Sequence, residues 1–530
     1  MHRRDFSNLL LAAILLESGT NASAGQTVVP GGLLRRSRGG NLTSLDPHRP
    51  LSATDMEIAA DLFVGLTSIN AYGSLIPGCA RDWTISPDGN RYEFRLRANL
   101  TWSDGRALTA IDFVESFRRL LNPATAALLG YRYDAIRGAR ALRIGLGSAE
   151  ELGVLAQGDN RVIFVLDHPE TDLLKLLAVA YVVPMHVVKT LGREWAKPPS
   201  IVVNGPFKPV GWAQNGTLSL SSNSRWHAVK ENNVTPNLHW ILGIDDATRL
   251  RMFRSGELDI AQISEGAQLA LARREMAGSL HTVPFYGGGW IGLNVKRSAL
   301  KDIRLRRALT LAVDRRVLSD KVRALGELPT ESIVPQAVSD YPQHAVPLEA
   351  QWPMARRVAA AKLLLAPLGF SQAKPLRLVA IFSSNLLTQR TFLALDAMWA
   401  PLGVRIDARS MESRAYNIAL NAGEFDLMDY GPFSAVQSAT SFIGRFQTGS
   451  FLNYSHYSNA EVDRLIMAAE SQKDTAQRAR MYLDVERILL HDVPVIPLYS
   501  GVAHYLVSAR ISGWVENSGL SLPSQYLTVR

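Results

Sequence analysis

Apolar positions repeat along the chain with two distinct periods, and the switch between them sets the predicted elements. Tyr92, Phe94 and Leu96 alternate with Arg91, Glu93, Arg95 and Arg97, the period of two expected of a half-buried strand. The period then lengthens to that of a helix. Phe113, Val114, Phe117, Leu120 and Leu121 share one face, Thr109 and Asp112 are spaced to cap its start, and Asn122-Pro123 stops it. Val162–Leu166 and Leu218–Leu220 predict further strands.

Helices dominate the second half. Ala308, Leu309, Ala312 and Val313 share a face, and Val358, Ala359 and Leu363 share another on a helix that follows Pro353 and ends before Pro367-Leu368-Gly369. Ser458 and Glu461 are spaced as a capping box ahead of Val462, Leu465, Ile466 and Ala469. A last long helix carries Met481, Tyr482, Val485, Ile488 and Leu489 before Pro494. Lys197-Pro198-Pro199, Gly287-Gly288-Gly289 and Pro494 to Pro497 are candidate hinges or boundaries, with ordinary turns as the alternative. The pattern predicts an α/β or α+β protein, and 530 residues exceed what one core holds, so two or three domains are expected.

The N-terminus has its own pattern. His2, Arg3 and Arg4 precede the apolar run Leu9–Leu16, and Ala22-Ser23-Ala24 supplies small residues for cleavage, so residues 1–24 read as a signal peptide. Arg3-Arg4-Asp5-Phe6 looks like a twin-arginine export signal, with an ordinary basic n-region as the alternative. The apolar run is too short to span a bilayer, and no later segment is long enough, so a soluble product exported to the periplasm is expected.

Composition removes several functions. Cys79 is the only cysteine, which excludes an intramolecular disulfide and a cluster held by cysteines, and it lies far from the apolar run where a lipid anchor would want it. The net charge of +9 permits nucleic-acid binding, but Arg304, Arg306, Arg307, Arg315 and Arg316 follow helical spacing without a recognition motif. They read as a solvated face, and no nucleic acid is expected as a partner. The chain has no HExxH, no GxxxxGK[ST], no GxSxG elbow and no paired CxxC, and its 11 histidines fall at no metal-ligand spacing. No cofactor, metal or catalytic group is expected.

Several spaced segments resemble one family. Asn41–His48 and Asp61–Leu66 look like the N-terminal segments of the oligopeptide- and dipeptide-binding proteins of bacterial ABC importers, extracellular solute-binding family 5. Pro77–Trp83, Tyr92–Arg97, Thr101–Gly105 and Thr109–Phe113 are similar in order and spacing to that family's signature. The likeness continues through Asn204–Phe207, Arg251–Ile260, and Leu305–Leu309 to Asp314-Arg315, nearly the whole mature chain. Trp102-Ser103-Asp104-Gly105 reads as a turn that organises a domain and not as a ligand group.

The resemblance implies a two-lobed periplasmic-binding-protein-like fold with three domains. Its larger lobe is discontinuous: residues 25–65, 200–285 and 500–530 form its core domain and 66–199 its accessory domain, with 286–499 as the other lobe. It implies a monomeric receptor that closes on a peptide or peptide-like solute and presents it to an inner-membrane ABC permease. A sensor or chaperone-like binding protein of the same fold, for a non-peptide solute, is the alternative, and a periplasmic hydrolase is a more distant one.

In the family a peptide is held as an added strand. The corresponding segment here is Gly431-Pro432-Phe433-Ser434, with Phe285, Tyr286 and Trp290 on another wall; core packing is the alternative for the aromatic residues. The family pattern also has an aspartate that pairs with the peptide's α-ammonium, and Ala435 stands at that position. Asp429 could supply the charge if the local correspondence slips; otherwise the cargo is expected to lack a free amino terminus.

Overall fold

The computed structural model describes residues 32–530 apart from residues 51, 214–215, 230–231, 233 and 518–521. The predicted signal peptide, residues 1–24, lies outside the described residues.

One 11-stranded sheet runs through both lobes. Its second-lobe end comprises Val404–Met411, Leu376–Ser383 and Leu427–Tyr430, with the short Leu328–Pro329 pairing Tyr499 and Ser500 off the main path; its first-lobe end comprises Ile260–Ile263, Leu33–Ser37, Asn237–Ile241, Thr217–Ser222 and Phe207–Trp212. Between them lie two antiparallel strands long enough to belong to both ends, Leu280–Leu293 and Val495–Val507. Val283 pairs with Ala503 in the first lobe, and Trp290 pairs with Pro497 in the second. Two such crossing strands permit the lobes to hinge while keeping the sheet continuous.

Gly287-Gly288-Gly289 is therefore part of a strand, at the place where its register shifts. A Cβ on Gly288 would run into the Tyr499 carbonyl oxygen, and one on Gly289 into the Tyr499 ring. The glycines are there because the neighbouring strand passes too close for side chains. Pro494–Pro497 likewise leads into the strand Val495–Val507, whereas Lys197-Pro198-Pro199 is a turn closed by the Ser200 N–H on the Lys197 carbonyl at 2.9 Å.

A smaller antiparallel sheet of Ala80–Ile85, Arg91–Leu96, Arg161–Val165 and Val154–Gln157 supports the helix Ala110–Leu121. The predicted alternation places Tyr92, Phe94 and Leu96 in its core, where Phe94 and Phe117 meet Phe164 edge-on at 5.7 and 5.1 Å between ring centres. The Asp112 carboxylate accepts from the Thr109 N–H at 2.8 Å, as the cap spacing requires. This group has its own apolar core, as does each half of the second lobe.

Three local readings are corrected. The helix after Pro353 forms over Met354–Leu365, but it buries Arg357, Ala361 and Leu365 and leaves Leu363 exposed. Arg357 takes the inward position because its guanidinium donates to the Leu311 and Thr310 carbonyls, which end the helix Ile303–Leu311. The helix Ala460–Glu470 is capped by Asn459, whose side chain accepts from the Glu461 and Val462 N–H groups, while the Ser458 hydroxyl meets Thr448. Finally, Arg306 and Arg315 are buried and not solvated. Arg306 holds the Asp492 and Leu300 carbonyls, and Arg315 holds the Pro497 carbonyl and Glu331.

Candidate functional site

A cavity with about 1350 Å³ of empty space, part of it open to solvent, lies where the two lobes meet. Its first-lobe walls come from several separated segments, three of which supply most of the apolar surface. The helix Ala53–Leu62, started by the reciprocal cap of Ser52 and Asp55, presents Met56, Ala59 and Ala60, and Phe63 follows at its end. Leu129, Arg132 and Tyr133 form a second wall, and Ala178–Tyr181 a third. The second lobe closes the space with Tyr286 and with Ala435, Val436 and Gln437.

Most of this lining is apolar, and the charged groups in it are unequal. Glu57 is neutralised by Arg36 at 2.9 Å and by Arg38. The His48 ring has Nε2 2.9 Å from the Tyr181 carbonyl oxygen and Nδ1 2.9 Å from Arg119, an arrangement that needs a neutral ring donating from Nε2 and accepting at Nδ1. Burial pushes His48 down to about 4, and the cationic Arg119 adds to this against the opposing pull of Asp46. Arg132 is half-buried, and among the described residues no carboxylate lies within ion-pair distance of it.

Beside the cavity the lobes are latched. Asp172 and Lys175 of the first lobe face Asp340, Gln437 and Ser438 of the second. Lys175 Nζ lies 3.1 Å from Asp172, 3.0 Å from Asp340 and 2.6 Å from the Gln437 carbonyl oxygen, while Ser438 donates to Asp172. Burial opposes the ammonium, but Asp172 and Asp340 outweigh it and hold Lys175 above the ordinary lysine value. Glu170 and Glu470 flank the same junction. Burial, reinforced by Asp172 and Glu470, pushes Glu170 up to about 8, and burial with Asp172 pushes Glu470 up to about 7.

Tyr286 and Ala435 are the two sequence-predicted site residues that line the cavity. Trp290 instead packs in the second-lobe core against Tyr430, Phe442 and Phe446. Phe285 folds over the glycine run, its ring close to Gly287 and Gly501. Asp429 points away: its side chain accepts from Thr388 at 3.3 Å, and burial raises its carboxyl against the pull of Arg323. Gly431–Ser434 is paired within the protein, with the Gly288 N–H on the Pro432 carbonyl at 3.1 Å and the Ser434 N–H on the Tyr286 carbonyl at 2.8 Å. The Phe433 carbonyl accepts from Arg445 at 2.9 Å.

Sequence reasoning did not reach Phe63, Arg132, Tyr133, Tyr181, Val436 or Gln437. Val436 and Gln437 directly follow Ala435 and could have been included on that ground. The others carry no local signal. Nothing near Arg132 in the sequence shows that it stays without a carboxylate while Arg119 meets Asp46, 73 positions away along the chain.

Three comparisons place the geometry among known proteins. The family model described as bacterial extracellular solute-binding proteins, family 5 Middle, matches residues 74–453. The chain is 32% identical over 461 residues to the probable deoxycholate-binding periplasmic protein YgiS of Escherichia coli K12, covering 86% of this chain and 85% of that one. It is 30% identical over 521 residues to the periplasmic oligopeptide-binding protein OppA of Salmonella typhimurium, covering 96% and 95%. Among solved structures, Haemophilus influenzae OppA in complex with RPPGFSPFR superposes with a TM-score of 0.83 at 27% identity, over 94% of this chain and 99% of that one.

Proposed function

Because the chain belongs to the bacterial extracellular solute-binding proteins of family 5, we propose that it is the receptor component of an ABC importer, binding a peptide or peptide-like solute between its lobes. The observation that carries this reading is the cavity of about 1350 Å³ walled by residues of both lobes, with Tyr286 and Ala435–Gln437 on one side and Phe63, Tyr133 and Tyr181 on the other. A site divided in this way is completed only by closure. Closure is also what distinguishes a loaded receptor from an empty one at a membrane permease. The relatives are named for binding oligopeptides and, in one case, deoxycholate.

The rest of the reading follows from this role. The protein is a periplasmic monomer, released by cleavage after residue 24 of a twin-arginine or ordinary signal, and it binds cargo without transforming it. The core of the larger lobe is residues 25–65, 200–285 and 500–530, with 66–199 as its accessory domain and 286–499 as the opposing lobe. The cargo contacts both Tyr286 and Ala435.

The test is to purify the protein from its native periplasm, denature it, identify released small molecules by mass spectrometry, and measure uptake of that compound with and without the gene. A bound small solute whose uptake needs the protein is the expected result. Absence of any cargo, or uptake that is indifferent to the gene, overturns the receptor role.

A further inference from the structure

On the premise that the receptor reading holds, the charges around the cavity define its cargo more closely. Glu57 is neutralised by Arg36 and Arg38, and His48 is fixed neutral between Arg119 and the Tyr181 carbonyl. Ala435 contributes no carboxylate, and Asp429 is turned toward Thr388. Arg132 thus remains the one lining cation without a carboxylate at ion-pair distance among the described residues, in a mostly apolar lining that includes Phe63, Leu129, Tyr133, Tyr181 and Val436. A positive group facing a low-dielectric space repels an ammonium and attracts an anion.

The backbone points the same way. A peptide held as an added strand needs a free edge. Pro432 has no N–H to offer, its carbonyl is taken by Gly288, and the Ser434 N–H is taken by the Tyr286 carbonyl. On the opposite edge the Phe433 carbonyl is engaged by the Arg445 guanidinium. Main-chain pairing there is reduced, and apolar surface and charge supply the rest of the affinity.

The geometry points to a cargo with a compact apolar body, one anionic end and no ammonium, its anion meeting Arg132 and its body lying against Phe63, Tyr133, Tyr181 and Val436. Two sources share this chemistry: an N-blocked apolar peptide ending in a free carboxylate, and a rigid polycyclic carboxylate.

Calorimetric titration of the mature chain, residues 25–530, distinguishes them with four probes: trileucine, N-acetyl-trileucine, N-acetyl-trileucine amide, and deoxycholate. At least one of the two anions without an ammonium, N-acetyl-trileucine or deoxycholate, is expected to bind about tenfold or more tighter than trileucine. Which of them does so identifies the source. Arg132→Gln is expected to weaken that anion by about tenfold while changing the neutral amide by less than about twofold, with thermal unfolding confirming that the variant folds.

Tighter binding of trileucine, equal binding of the anion and the amide, an unaffected Arg132→Gln variant, or no binding of any probe overturns the assignment. Recovery of a native cargo whose uptake needs the protein would keep the receptor role in each of those cases. Only loss of both cargo and uptake removes the role itself.

Discussion

Lys175 of the first lobe places its ammonium 3.0 Å from Asp340 of the second, and the same nitrogen donates to the carbonyl of Gln437 in the cavity wall. The contact bridges the two lobes, so its energy favours the arrangement in which they meet. Lys175→Met leaves Asp172 and Asp340 facing each other without a cation, and cargo affinity is expected to fall about tenfold, mostly through faster dissociation. Stopped-flow displacement of the native cargo checks this; an unchanged off-rate would mean that the pair does not latch the lobes.

The carboxyls around that latch predict a pH dependence. Glu170, raised to about 8, and Glu470, raised to about 7, face Asp172 and Lys175 on one lobe and Asp340, Arg478 and Tyr482 on the other. Asp340 is also raised, by burial first, with Asp172 adding to it and Lys175 opposing. Opening hydrates these groups and returns them toward ordinary carboxylate values, so closure takes up protons. Their contribution to the closed form is complete below the ordinary carboxylate range and is lost as pH rises through about 7 to 8. Cargo affinity is expected to fall about threefold to tenfold between roughly pH 6 and 9, a modest figure because both groups retain some solvent contact. Glu170→Gln should flatten the upper part of that profile, as read by titrations across pH.

Ala435 lines the cavity, and its side chain carries no charge there. Ala435→Asp adds an unpaired carboxylate, which a free ammonium would neutralise. Affinity for trileucine is expected to rise about tenfold and affinity for the preferred anion to fall by a similar factor. No change in the ranking of the two probes would show that this position does not face the end of the cargo.

Glu486 is fully buried and accepts from the Ser332 and Tyr341 hydroxyls and the Ile333, Val334 and Ala345 N–H groups. It thereby organises the segment 332–345, which carries Asp340 of the latch. Glu486→Ala leaves these donors without an acceptor and is expected to destabilise the fold by about 3–5 kcal/mol. Glu486→Gln, which retains an oxygen acceptor, should cost less. Denaturant midpoints of the two variants give the comparison.

The sequence by itself determined the helices and strands with regular apolar periods, the cap at Thr109 and Asp112, and the family. These are legible because a period of two or 3.6 residues and a cap three residues long are local, as in Tyr92–Leu96 and Thr109–Asp112. The face that a helix buries is less local: Arg357 displaced Leu363 from the inward side because two carbonyls of another helix end needed a donor. The cavity is not local at all. Phe63, Arg132 and Tyr181 are brought together from separated stretches of the first lobe and Val436 faces them from the second, and whether an arginine is neutralised there depends on a carboxylate brought near by the fold. Arg119 has Asp46 for this, and Arg132 has none among the described residues. Only the tertiary structure decided that difference, because charge compensation acts through space over a few ångströms and takes no account of separation along the chain.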